Sequence, residues 1–217
     1  MAPAVERITS QKGRRTPTVL SRLVRWIIFR IWRFQGWRLA NHVSPDLKKF
    51  VIAGAPHTSN WDFVFFAGAT QEMGIRPSFM GKHTLFKGLM RDFMYDMGGI
   101  SIDRRKRTNA VEQVAAEFAR ADELALVIAA EGSRTSDGTW RSGFYNIAQA
   151  AGVPIVVAWV KNSERILGFS DPIWPTGDYG ADLAKIAAFL RSARPDYERY
   201  KVLEQQAKQL IAEGSAT

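Results

Sequence analysis

The chain has 217 residues, 46% of them apolar and 24% charged, a composition that fits one folded core and excludes a long disordered or repetitive chain. It contains no cysteine, which excludes a disulfide framework, a thiolate metal site and a cysteine nucleophile, and suits a cytoplasmic setting. The formal charge of +9 and the pI near 10.0 imply an anionic partner, whether lipid, nucleic acid or a phosphorylated substrate.

Residues 1–17 are basic and polar, with Pro3 and Pro17 and no apolar segment resembling a secretory signal, and are read as a disordered tail. Residues 18–40 change character. Their longest apolar run, Trp26-Ile27-Ile28-Phe29, is far short of the roughly 20 residues that a spanning helix needs. On a helix Arg22, Arg25, Arg30 and Arg33 fall on one side and Leu23, Ile27, Ile31 and Phe34 on the other. Such an amphipathic helix, with Trp26, Trp32 and Trp37 at the boundary, suits the headgroup layer of an anionic membrane. The competing reading is a helix packed on its own domain; the number of large apolar groups beside arginine favours the membrane surface.

From residue 41 to 213 the pattern is that of one domain. Val- and Ile-rich runs predict strands near 50–54, 77–81, 99–103, 124–130, 154–160 and 165–169. Helix-period segments fall at 60–73, 84–97, 107–121, 142–151, 180–192 and 196–212, with Gly74, Gly98 and Gly152 as C-terminal stops. The expectation is an α/β fold, a mixed central sheet covered by helices, with functional groups on the loops that follow strands.

The first chemistry-bearing segment, Ala55-Pro56-His57-Thr58-Ser59-Asn60-Trp61-Asp62, follows the first of these strands. On a continuous helix His57 and Asp62 would lie about 140° apart and could not share a face. With His57 on the incoming loop and Asp62 in the first helical turn, the carboxylate can reach back, fix the imidazole tautomer and stabilise the imidazolium. Taken alone, Ser59-x-x-Asp62 is also a capping box, and His57 a lone polar residue.

Four further segments change the weighing. His57-x-x-x-x-Asp62 resembles the His-x4-Asp block of the glycerolipid acyltransferase family, which includes 1-acylglycerol-3-phosphate acyltransferases. Gly81-Lys82-His83-Thr84-Leu85-Phe86 resembles that family's lysine-containing second block, and Gly99-Ile100-Ser101-Ile102-Asp103-Arg104 its Gly-x-x-x-x-Arg block. Ala130-Glu131-Gly132-Ser133-Arg134 resembles the Pro-Glu-Gly-Thr-Arg block, and Val153-Pro154-Ile155-Val156-Val157 the closing apolar stretch. The order and spacing agree over residues 50–160. Ala130 and Ser133 depart from the usual proline and threonine, and His83 stands where an acidic or small residue often follows the lysine.

The resemblance implies transfer of a fatty acyl group from a thioester, acyl-CoA or acyl carrier protein, to the hydroxyl of a lysophospholipid, most simply 1-acylglycerol-3-phosphate. His57 is then the general base and Asp62 its partner. Arg104 and Arg134, with Lys82 as a weaker third, are expected to bind the acceptor's phosphate. Glu131 holds the acceptor or pairs with an arginine, and Gly132 allows close backbone approach. No Gly-x-Ser-x-Gly elbow is present, and His42, His57 and His83 have no paired-ligand spacing, so neither an acyl-enzyme nor a bound cofactor or metal is expected. The expected setting is peripheral, on the cytoplasmic face of an anionic membrane, without nucleic acid. Competing readings are acylation of another lyso acceptor, such as a lyso-ornithine lipid, and a basic membrane- or nucleic-acid-binding protein without catalysis.

Overall fold

A computed structural model describes residues 16–54, 61–88, 90–102, 110–132 and 136–214, and for residues 61–63 the backbone alone. Seven strands, β1 (Arg38–Leu39), β2 (Lys49–Gly54), β3 (Pro77–Lys82), β4 (Gly99–Ile102), β5 (Leu124–Ala129), β6 (Ile155–Lys161) and β7 (Ile166–Phe169), form one sheet in the order β1-β7-β6-β2-β5-β3-β4. From β6 to β4 every neighbouring pair is parallel; β7 turns back antiparallel to β6 and carries β1 at the edge, so the sheet is mixed. The helices are α1 (Val19–Phe34), α2 (Trp61–Glu72), α3 (Met90–Asp96), α4 (Ala110–Arg120), α5 (Gly143–Ala151), α6 (Tyr179–Ala193) and α7 (Arg199–Gly214).

Central strands buried on both sides read as continuous apolar runs because each face has its own layer of helices. In β2, Phe50 and Ile52 join one core with Trp32 of α1 and Ala69 of α2. Val51 and Ala53 point the other way, toward Val114 and Phe118 of α4, Phe144 and Ile147 of α5, Leu183 and Ile186 of α6 and Leu203 of α7. Strands β5 and β6 alternate in the same register. Gly74, Gly98 and Gly152 all take positive φ where helices end, as expected of C-terminal stops.

Three expectations change. Trp32 and Trp37 are core residues rather than boundary anchors: Trp32 is fully buried against Gly68, donates its indole N–H to Glu72, and stacks on Trp37, which stacks on Phe65. A Cβ on Gly68 would lie 2.6 Å from Trp32, so this glycine is what lets α1 approach α2. The helix also stops at Phe34; Gly36 turns the chain with φ 72° and residues 38–39 form the edge strand. Finally, residues 84–97 are not one helix: a 3-10 turn at His83–Leu85 precedes α3.

The remaining faces of α1 divide sharply. Ser21, Ile28 and Trp32 are buried and Arg25 is half-buried, whereas Leu20, Leu23, Ile27 and Phe34 are exposed with Ile31 half-buried among them. Arg22, Arg30 and Arg33 flank that apolar stripe, Arg30 lying over the exposed Trp26 ring. The N-terminus of α1 is held by Asp96 of α3, whose Oδ2 accepts from the Thr18 N–H, the Thr18 hydroxyl and the Ser21 hydroxyl at 2.8–2.9 Å. Among the described residues no helix is long and apolar enough to cross a membrane.

Candidate active site

Parallel strands deliver their C-terminal ends to one edge of a sheet, where open α/β folds hold their ligands. Here Gly54 ends β2 opposite Ala129 of β5 and Ala158 of β6, and Lys82 ends β3 opposite Ile102 of β4. The four strands β2, β5, β3 and β4 are consecutive in the sheet, so their ends span roughly 14 Å at the usual strand spacing. Each leads directly into one of the blocks singled out in the sequence. His57, Arg104 and Arg134 lie in segments outside the described residues, at 55–60, 103–109 and 133–135. Asp62 is the second residue of α2, a position where a helix favours a carboxylate.

The second and third blocks share one packing device. Phe86 is buried and rests on Tyr95 with ring centroids 4.9 Å apart. A Cβ on Gly81 of β3 would lie 2.8 Å from its ring, and one on Gly99 of β4 would lie 2.7 Å from it. The two glycines therefore form a seat for Phe86, which fixes the 3-10 turn immediately after Lys82. Lys82 itself is exposed, and His83 half-exposed, at the start of that turn.

After β5 the chain turns through Ala130, Glu131 and Gly132. Ala130 and Glu131 are buried, and the Ala130 carbonyl accepts from the Arg141 N–H at 2.9 Å, closing the base of the loop. Glu131, with its side chain 1% exposed, accepts from Arg199 Nη1 at 3.2 Å. Pairing with an arginine is one of the two roles considered for it. Gly132 has φ 72°, and a Cβ there would meet the Arg141 side chain at 2.7 Å.

Farther along, Asp137 accepts from the Thr139 hydroxyl and N–H at 2.7 and 2.9 Å. The hydroxyl first and the N–H second hold this carboxyl below its ordinary value. Trp140, buried, is bound through both backbone groups by Gln206: its N–H donates to Gln206 Oε1 and its carbonyl accepts from Gln206 Nε2, each at 2.8 Å.

Arg141, Arg199 and Gln206 escaped the sequence reading. Only Arg199 carried a signal there: an arginine at the N-terminal end of a helix opposes the helix dipole and calls for a carboxylate partner. The fifth block is a buttress. Pro154 accepts from the Val51 N–H at 3.0 Å and Ile155–Ala158 pair along β2, supporting the strand that leads to residue 57. Among the described residues no group of three or more His, Asp or Glu side chains could hold a metal ion.

The mixed sheet brings the blocks to one edge of an α/β fold, and the acyltransferase family model matches residues 39–161, from β1 through β6. That is more than half of the sequence, and the chain belongs to the acyltransferase family. Among solved structures, the 1-acyl-sn-glycerophosphate (LPA) acyltransferase PlsC from Thermotoga maritima is similar, with a TM-score of 0.54 over 89% of this chain and 80% of that one. Identity is 17%, so the likeness is one of fold. A comparison with curated proteins finds no match. Helices α1, α6 and α7 lie outside the matched stretch.

Proposed function

We propose that this acyltransferase moves a fatty acyl group from acyl-CoA or acyl carrier protein to the free hydroxyl of a lysophospholipid, with 1-acylglycerol-3-phosphate as the acceptor and phosphatidic acid as the product. The observation that carries this reading is the adjacency of β2, β5, β3 and β4, whose C-terminal ends lead into the four blocks within about 14 Å. A hydroxyl is a weak nucleophile. An imidazole at His57 removes its proton as it attacks the thioester carbonyl, and Asp62 offsets the charge that appears on the ring. The tetrahedral intermediate then expels the thiolate, which takes up the proton. Lys82, Arg104 and Arg134 supply the cations for the acceptor phosphate.

Lipid substrates require access to a bilayer, and the exposed Leu20, Leu23, Ile27 and Phe34 stripe with its arginines suits the surface of an anionic leaflet, in keeping with a peripheral enzyme on the cytoplasmic face. The test incubates the protein with labelled acyl-CoA, and separately with acyl carrier protein, against a panel of lysolipids in mixed micelles. Acylation of 1-acylglycerol-3-phosphate is expected, with His57→Ala slower by about 10³-fold or more and Asp62→Asn also impaired. Equal rates for the wild type and His57→Ala would sink the mechanism, and preference for a lyso lipid without phosphate would overturn the acceptor.

A further inference from the structure

We propose that Arg141 holds the phosphate of the acyl donor, at the end of the phosphopantetheine arm that acyl-CoA and acyl carrier protein share. This rests on the reading of the β2 and β5 exits as the place of acyl transfer. Arg141 is fastened there twice. Its N–H donates to the Ala130 carbonyl at 2.9 Å, and Ala130 donates its own N–H to the Gly54 carbonyl, at the end of β2, at 3.3 Å. Its side chain lies across Gly132: an added Cβ would stand 2.7 Å from Cδ and 2.9 Å from Nε, so the bare glycine is what makes room for the arginine stem. The neighbouring carboxylate, Glu131, is buried and engaged by Arg199. Arg141 is exposed and forms no ion pair among the described residues. A guanidinium anchored by its backbone and stem, with its fork left to water, suits a phosphate that arrives from solution.

Both substrates carry phosphate, and position separates them. Arg141 stands just before α5, whose Phe144 and Ile147 pack with Val51 and Ala53, whereas α1 covers the opposite face with Phe50 and Ile52 and carries the exposed apolar stripe. A lysolipid comes from the bilayer on the α1 side; a water-borne thioester has the other side open to it. Reach agrees with this. An extended pantetheine arm puts its phosphorus about 15 Å from its sulfur, so the phosphate belongs at the rim of the site and not beside the reacting carbonyl.

The experiment compares the full-length wild type with Arg141→Met and Arg141→Lys. Calorimetric binding of coenzyme A, thermal unfolding, and acylation kinetics with acyl-CoA, acyl carrier protein thioester and phosphate-free acyl-pantetheine are read on each. Arg141→Met is expected to weaken coenzyme A binding and raise the acyl-CoA KM about tenfold, with a smaller change in kcat and an unchanged unfolding midpoint. The KM values for acyl-pantetheine and for 1-acylglycerol-3-phosphate should stay as in the wild type. Arg141→Lys should recover part of the loss, since it restores the charge without the fork. A loss shared by both natural thioesters places the phosphate common to them on Arg141, and a loss confined to one identifies the donor that the enzyme takes.

Equal donor KM values for wild type and Arg141→Met overturn the proposal, as does an equal loss with acyl-pantetheine or a loss that falls on the lysolipid. Should the wild type acylate no lysolipid, the proposed function fails, and the difference in coenzyme A affinity still decides the role of Arg141. If Arg141→Met does not fold, Arg141→Gln carries the same comparison.

Discussion

At Gly98 a methyl group would sit 2.1 Å from the carbonyl oxygen of Pro77, and the backbone already has φ 91°, so a side chain there is excluded by both contact and conformation. The glycine ends the turn after α3 and lets it meet the start of β3, the strand leading to Lys82. Gly143 is the opposite case: it opens α5, and nothing lies within 4 Å of an added Cβ. Gly98→Ala is expected to lower stability by about 3 kcal/mol or more, and Gly143→Ala to raise it by about 0.5–1 kcal/mol. Urea unfolding of the two variants checks both signs, and a stable Gly98→Ala protein would mean that the turn relaxes in a way its contacts with Pro77 do not allow.

Element by element, what was legible followed from how local the cause is. Strands β2, β5 and β6 were readable because both faces are apolar over five or more residues, and α5 because Gly152 closes an amphipathic run. The division of residues 84–97 was not, since it depends on Phe86 fitting over Gly81 and Gly99 from two different strands. The arginine partner of Glu131 lies 68 positions away, a separation that leaves no local trace. In α1 the amphipathic pattern was legible, but the burial of Trp32 depends on Gly68 of α2.

That helix consequently has two separable faces, and substitutions should sort accordingly. Trp32→Ala removes a fully buried indole and should cost about 3–5 kcal/mol of stability. Leu23→Ser/Ile27→Ser/Phe34→Ser alters exposed positions; it should leave the unfolding midpoint nearly unchanged while lowering partitioning into anionic vesicles by more than about tenfold, since each large apolar group contributes about 1.5–3 kcal/mol when buried. Flotation with phosphatidylglycerol vesicles reads this directly. Equal flotation of the triple variant and the wild type would rule out the stripe as the lipid contact.

For the molecule as a whole, the sheet is closed by helices from both ends of the chain: α1 covers one face with α2, while α6 and α7 join α4 and α5 on the other. The second closure passes through a buried carboxylate. Asp182, with no exposed surface, accepts from the Tyr145 hydroxyl of α5 at 2.9 Å, from the N–H and hydroxyl of Thr176 at 2.6 and 2.8 Å, and from Lys185 at 2.9 Å. Burial pushes its pKa up, but the hydrogen bonds from Lys185, Thr176 and Tyr145 together outweigh burial and hold it below the ordinary 3.8. The unfolded chain therefore binds the proton more tightly than the folded one. Stability contributed by the ionised Asp182 is complete above the unfolded pKa and is lost as pH falls through the lower folded value. Asp182→Asn presents an amide N–H₂ to groups that are themselves donors, and should cost roughly 2–4 kcal/mol at neutral pH. The difference in unfolding free energy between wild type and Asp182→Asn should then shrink as pH drops from about 5 to 3 and below, because only the wild type has this carboxylate to protonate. A urea series at several pH values measures that difference, and a gap that stays constant into acid would show that the charge of Asp182 is not what joins α5 to α6.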